Sequence, residues 1–253
     1  MWVFVVLVVA GCGRIGFDPS GDALGDSASR HDEDGDGLLD VDDPCPHLPG
    51  TNADADGDRV GDACDPLPTT PTERIARFAT MMPGDQPFAL TGAGTWTPEA
   101  DAVHCTGTVC LLRVDRMLGD VRVHVGAEIT ERLGAAGDQH QLALRIGNSG
   151  PTFYATEVNE VGSYTVASIT YFDGDAFVSQ QQQDLAAGVH PGDLDLRHDA
   201  RRAPSTVAFD GGWPGERYRL ELPGATYTGG TYIRVNTNNL GFRVRYAIVI
   251  ETL

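Results

Sequence analysis

The chain has 253 residues, 18 basic and 36 acidic, for a net charge of −18. That length holds one sizeable core of roughly 150 residues plus accessory segments. Residues 13–66 alone carry −12 of the charge, fifteen Asp or Glu against three Arg, so the acidity belongs to a segment and argues against a nucleic-acid partner for it.

The chain opens on "MWVFVVLVVAGC", in which ten apolar residues precede Gly11 and Cys12. The run is too short for a hydrocarbon core that needs about 20 residues, so residues 1–11 are expected to be a signal segment. Val9-Ala10-Gly11-Cys12 resembles the lipobox of bacterial lipoproteins. The resemblance implies a lipid on Cys12 that anchors an exported chain to the membrane of the bacterial cell envelope, at the outer membrane or cell surface. An ordinary cleaved signal or an uncleaved anchor is the alternative. With Cys12 taken by lipid, Cys45, Cys64, Cys105 and Cys110 remain and can form two disulfides in an oxidising compartment. Free thiols in neighbouring strands are the alternative for Cys105 and Cys110.

Residues 12–31 are rich in Gly, Ser and Asp without apolar periodicity and read as a flexible tether. Residues 32–66 are different. Asp32, Asp34, Asp36, Asp40 and Asp43 occupy positions 1, 3, 5, 9 and 12 of a loop with Gly37 at position 6 and the Leu38 carbonyl at position 7, the ligand spacing of a calcium loop. Adding 22 to each position gives Asp54, Asp56, Asp58, Asp62 and Asp65, with Val60 at the carbonyl position. In this second copy Arg59 replaces the turn glycine and must bear a backbone geometry unfavourable to a side chain. The flanks argue against a helix-loop-helix hand, because Pro44 and Pro46 follow the first loop where a helix should leave it. The Asp ladder, Cys45-Pro46 and the "GDACD" of 61–65 together resemble the thrombospondin type 3 repeat. That resemblance implies Ca2+ organising a chain with little secondary structure, two Asp ligand sets, and a disulfide from Cys45 to Cys64.

Residues 67–75 read as a Pro/Thr linker. From 76 to 253 short runs alternate apolar and polar residues, among them 121–129, 141–147, 152–158, 164–172, 217–222, 231–236 and 242–251. Period two bounded by Gly, Asp, Asn and Pro predicts antiparallel strands, enough for a β-sandwich or barrel. "LTGAGTWTPEADAV" (90–103) and "NNLGFRVRYAIVIE" (238–251) are similar to the first and last strand regions of concanavalin A-like, laminin-G-like domains. The expected fold is mainly β, an antiparallel jelly-roll sandwich preceded by an irregular, calcium-organised repeat segment. Gln180–Gln183 are expected as a polar loop or edge, and "RHDARR" (197–202) as a solvated basic turn.

Glycosidases on this fold need two carboxylates about 5–9.5 Å apart. The nearest candidate, Glu157-Val158-Asn159-Glu160, puts its glutamates on opposite faces of a strand. No nucleophile elbow occurs. Binding is the better expectation, with Trp96, Tyr154, Tyr171, Trp213 and Tyr227 as the aromatic candidates for ligand contact. The sequence thus describes a non-enzymatic envelope protein in which calcium-stiffened repeats hold a sandwich away from the membrane for glycan or protein binding in adhesion. The alternatives are a polysaccharide-active enzyme with a non-standard site and a purely structural component.

Overall fold

The computed structural model of the protein describes residues 31–50, 52–82, 88–135, 137–147, 152–174, 176–186, 188–202, 205–222 and 226–253. The signal segment, Cys12 and the tether up to residue 30 lie outside the described residues. Among the described residues there is no helix. The strands are β1 (Glu73–Ala79), β2 (Ala89–Gly92), β3 (Thr95–Pro98), β4 (Val103–Thr106), β5 (Val109–Leu118), β6 (Val121–Arg132), β7 (His140–Gly147), β8 (Phe153–Val161), β9 (Tyr164–Asp173), β10 (Ala176–Asp184), β11 (Gly192–Arg202), β12 (Ser205–Trp213), β13 (Glu216–Glu221), β14 (Gly230–Asn238) and β15 (Leu240–Thr252).

They form two antiparallel sheets of a jelly-roll sandwich. The eight-stranded sheet runs β13-β12-β11-β6-β15-β4-β3, with β1 also paired to β15; the seven-stranded sheet runs β10-β9-β8-β7-β14-β5-β2. Alternation fixes which side chains meet between them. In β6, Val121, Val123, Val125, Ala127 and Ile129 enter the core; in β7, Leu142, Leu144 and Ile146 face them from the other sheet, and Ile233 and Val235 of β14 continue the layer. Cys105 of β4 and Cys110 of β5 form a disulfide at the corner where the chain steps from one sheet to the other. Burial at both sulfurs is nearly complete.

A second apolar cluster lies on the outer side of the eight-stranded sheet. There the Cys45–Cys64 disulfide, with Val60 beside it, packs on Phe78 of β1 and on Tyr246, Ile248 and Ile250 of β15. This explains the near-continuous apolar run at the end of the chain: Ala247 and Val249 face the core between the sheets while their neighbours are covered by the repeats. A shift of register between Val244 and Tyr246 sets this phase. Polar contacts peg the same surface. Arg122 donates to the Cys64 carbonyl at 2.8 Å, Arg201 to that of Pro66 at 2.9 Å, and His47 sits edge-on against His124 with centroids 4.6 Å apart. The repeat segment is therefore laid flat against the sandwich and does not hold it at a distance.

Two local expectations change and a third holds. Glu73, within the stretch read as linker, already opens β1. "RHDARR" is no turn but the second half of β11, inside the eight-stranded sheet, because its alternation survives its charge: His198 and Ala200 point inward, while outward Asp199 is paired by Arg122 at 2.6 Å. Gln180–Gln183 do lie on an edge, as part of β10.

His198 is fully buried and neither ring nitrogen has a hydrogen-bond partner. Burial pulls its pKa down to about 4, with Asp199 opposing the shift. Below the usual imidazole value near 6.5 the unfolded chain takes up a proton first, so stability falls with pH until about pH 4, where both states are protonated. The His198→Leu variant should lose about 3 kcal/mol less than the parent between pH 7 and pH 4, as read from urea denaturation. Parallel curves for the two proteins would refute this.

Candidate functional site

The two acidic loops are built the same way, hydrogen bond for hydrogen bond. Asp32 accepts from Gly35 N at 2.8 Å and Gly37 N at 2.9 Å; Asp54 accepts from Gly57 N at 2.7 Å and Arg59 N at 3.0 Å. Asp36 and Asp58 each accept from the amide two residues on, at 2.9 Å in both. Asp40 reaches back to Glu33 N at 2.9 Å as Asp62 does to Ala55 N at 2.8 Å. Asp43 and Asp65 take the amides of Cys45 and Leu67. Asp32 and Asp54 engage both carboxylate oxygens in this way, whereas at other positions one oxygen is left over. Asp34 Oδ2, Asp56 Oδ2 and Asp65 Oδ2 are buried without any partner.

Carboxylate oxygens of Asp32, Asp34 and Asp36 lie within 4.8 Å of one another, and so do those of Asp54, Asp56 and Asp58. A third group, Asp58, Asp65 and Glu73, meets the same limit and joins the second loop to the first residue of β1. Its tie to the sandwich is direct: Glu73 N donates to Asp58 at 2.8 Å, and Thr252 at the end of β15 donates to the Glu73 carboxylate at 2.9 Å. Burial, then the charges of Glu73, Asp58 and Asp56, push Asp65 up to about 6. At the other end of the segment, burial and then Asp101 push Glu33 up to about 8. Gathered carboxylates with orphaned oxygens fit a hard dication, which takes six to eight oxygen ligands.

Glu73 falls outside the loop spacing, and only the fold brings it in. The sandwich aromatics divide differently from the expectation. Trp213 and Tyr227 are core residues, 2% and 3% exposed, and spend their polar atoms on the carbonyls of His190 and Gly119. Trp96 is half-buried against the core and donates to the Thr91 carbonyl. Tyr154 is buried and stacks on Tyr171 at 4.7 Å; both line a cavity of about 320 Å³ at one end of the seven-stranded sheet. No common platform joins the five. Glu157 faces outward from that sheet, bonded to Gln141 and Ser168, whereas Glu160 turns to Arg132 and the Val189 amide. The two glutamates do not converge on one face.

No protein-family model matches the chain, nor does any curated protein. Solved structures do. The VIP36 exoplasmic/lumenal domain in its Ca2+/Man-bound form superimposes with a TM-score of 0.54 at 9% identity, covering 71% of this chain and 98% of that one. The CBM2 module of the Lactobacillus casei BL23 phage J-1 evolved Dit gives 0.52 at 7% identity, covering 72% and 96%. The Bacillus licheniformis beta-glucanase gives 0.48 at 8% identity, covering 68% and 96%. At such identities the likeness to the first two shows the fold alone, a concanavalin A/legume-lectin-like β-sandwich, and a fold by itself does not decide catalysis.

Arg59 adopts φ 77° where the first copy has Gly37 at 95°. A side chain in the left-handed region costs on the order of 1 kcal/mol. Arg59→Gly should raise stability by about 1 kcal/mol in urea denaturation, and an unchanged or lower midpoint would refute the strain.

Proposed function

We propose that this is an exported, lipid-anchored, calcium-binding protein of the cell envelope whose β-sandwich binds a glycan or protein partner in adhesion. One observation carries the calcium reading: two loops 22 residues apart share one hydrogen-bond pattern, and the matching oxygens Asp34 Oδ2 and Asp56 Oδ2 are buried and unpartnered in both. Asp32, Asp34, Asp36, Asp40 and Asp43 would hold one set of ions with the Leu38 carbonyl. Asp54, Asp56, Asp58, Asp62 and Asp65 would hold the other with that of Val60. The ion supplies the positive charge that lets these carboxylates stay ionised side by side.

The chain's own residues do the rest. The Cys45–Cys64 staple and the Arg122 and Arg201 pegs hold the segment on the eight-stranded sheet, so the seven-stranded sheet is the face left to a partner. Residues 12–31 would give the assembly its reach from a lipid on Cys12. The VIP36 domain matched above is a Ca2+/Man-bound form, which favours a glycan over a protein as the partner here.

Calorimetric titration of the chelator-treated protein with Ca2+ tests the reading, beside an Asp34→Ala/Asp56→Ala variant. The parent should bind, and the variant should bind at least tenfold more weakly. Saturating calcium, at a hundred times Kd, should stabilise the parent by about 2.7 kcal/mol. Equal heats in both proteins would put the ion elsewhere, and no heat in either would end the calcium reading.

A further inference from the structure

The outer face of the seven-stranded sheet carries a row of arginines that the acidic composition makes unexpected. Arg234 of β14 stands directly opposite Arg145 of β7 on one side and Arg113 of β5 on the other. Each is flanked by core residues that point the other way, Leu144 and Ile146, Ile233 and Val235, Leu112 and Val114, so all three side chains leave the same face. Neighbouring strands are about 4.8 Å apart, and the three α-carbons therefore span about 10 Å across the sheet.

Like charges directly opposite on a sheet repel one another. The chain has 36 acidic residues with which to relieve this, yet it relieves only one end. Arg113 is paired with Asp115 at 2.6 Å. Arg145 and Arg234 have no ion-pair partner among the described residues, and their buried Nε atoms donate to nothing. Glu157 on the adjoining strand β8 spends its hydrogen bonds on Gln141 and Ser168 and gives Arg145 only the partial relief of its charge. Burial and then the charge of Arg234 lower the pKa of Arg145.

Aromatic rings brace the guanidinium groups. Arg113 lies 4.5 Å over the Tyr232 ring, with Arg234 at 6.0 Å from it, and Arg145 lies 5.0 Å over Phe153. Gly147 sits between those two residues, and a Cβ there would collide with the Tyr232 ring and the Phe153 Cβ. On the same face the Thr170 hydroxyl and the acceptor Asn236 Oδ1 are also buried without partners. The guanidinium groups are therefore held in place while the Nε donors of Arg145 and Arg234 reach no internal acceptor.

We propose that this row is a subsite for the acidic groups of an anionic polysaccharide, with Arg145 and Arg234 as the binding residues and Arg113, neutralised by Asp115, closing one end. The inference rests on the glycan-binding reading of the sandwich and narrows it to polymers bearing carboxylate or sulfate. The planar fork of arginine matches either group in a two-point contact, where a lysine would act as a point charge. A row across three strands suits a polymer with repeated charges better than a single small anion.

Calorimetry of the full-length protein in detergent and calcium, at physiological ionic strength, tests this with polygalacturonate, neutral mannan and a single-stranded oligonucleotide. Polygalacturonate should bind, and its affinity should fall at least tenfold in Arg145→Gln/Arg234→Gln. The charge-matched control Arg74→Gln/Arg219→Gln should keep parental affinity, and Arg145→Lys/Arg234→Lys, which preserves charge and size, should fall between. Unchanged binding in the double glutamine variant would overturn the inference, and so would preference for the oligonucleotide. Binding of mannan alone, equal in parent and variant, would overturn it while leaving the glycan reading intact. Binding of neither polysaccharide would overturn both.

Discussion

The arrangement depends on burial of the Cys45–Cys64 disulfide against the outer face of the eight-stranded sheet. The repeat segment has almost no core of its own, and chains below about 40 residues need a disulfide, a metal or a neighbouring surface to fold. Here Phe78, Tyr246, Ile248 and Ile250 supply that surface. The dependence runs both ways, since these four side chains would otherwise form an exposed apolar patch of the kind that promotes association. The disulfide, the register shift in β15 and the early start of β1 at Glu73 are parts of one interface.

That interface also sorts charge. It brings an acidic segment over a surface where Arg122 and Arg201 donate to its backbone carbonyls, and where His31 bridges Asp40 and Asp101 at 2.9 Å each. Local amides satisfy many of the loop carboxylate oxygens, but Asp34, Asp56 and Asp65 each keep a buried oxygen without a partner in clusters where carboxylates lie within 4.8 Å of one another. Repulsion among them is local, and a dication is the economical remedy. On the opposite sheet the imbalance is reversed, with two arginines, Arg145 and Arg234, whose buried Nε atoms have no hydrogen-bond partner among the described residues.

Much of this was legible from the residues. Alternation located β6, β14 and β15, because a strand buried on one face writes its period directly into the sequence. The acidic loops and their repeat could be found from spacing alone, since the amide bonds to Asp32, Asp40, Asp54 and Asp62 that shape both loops span seven residues or fewer. What escaped was set by pairing. "RHDARR" looks like a turn until Arg122 and Asp199 meet across β6 and β11. Glu73 joins Asp65 only once the loop is laid on the sheet, and Arg113, Arg145 and Arg234 become neighbours only through a register that joins distant strands. Trp213 and Tyr227 misled for a related reason: residue type marks them as ligand platforms, and only depth in the fold shows that they are filling.

The Cys105–Cys110 bond, closing the corner between β4 and β5, has a mechanical meaning. Under the proposed arrangement a tether fastened to the repeats would pull on the eight-stranded sheet, while a polymer held by the arginine row would drag on the seven-stranded one. Load between them would cross the sandwich in shear, and packing resists shear less well than a covalent link. Because the bond lies at the end of β4 and the start of β5, two strands away from β6 and adjacent to β14, it clamps the layers beside the arginine row and denies them a hinge at that corner.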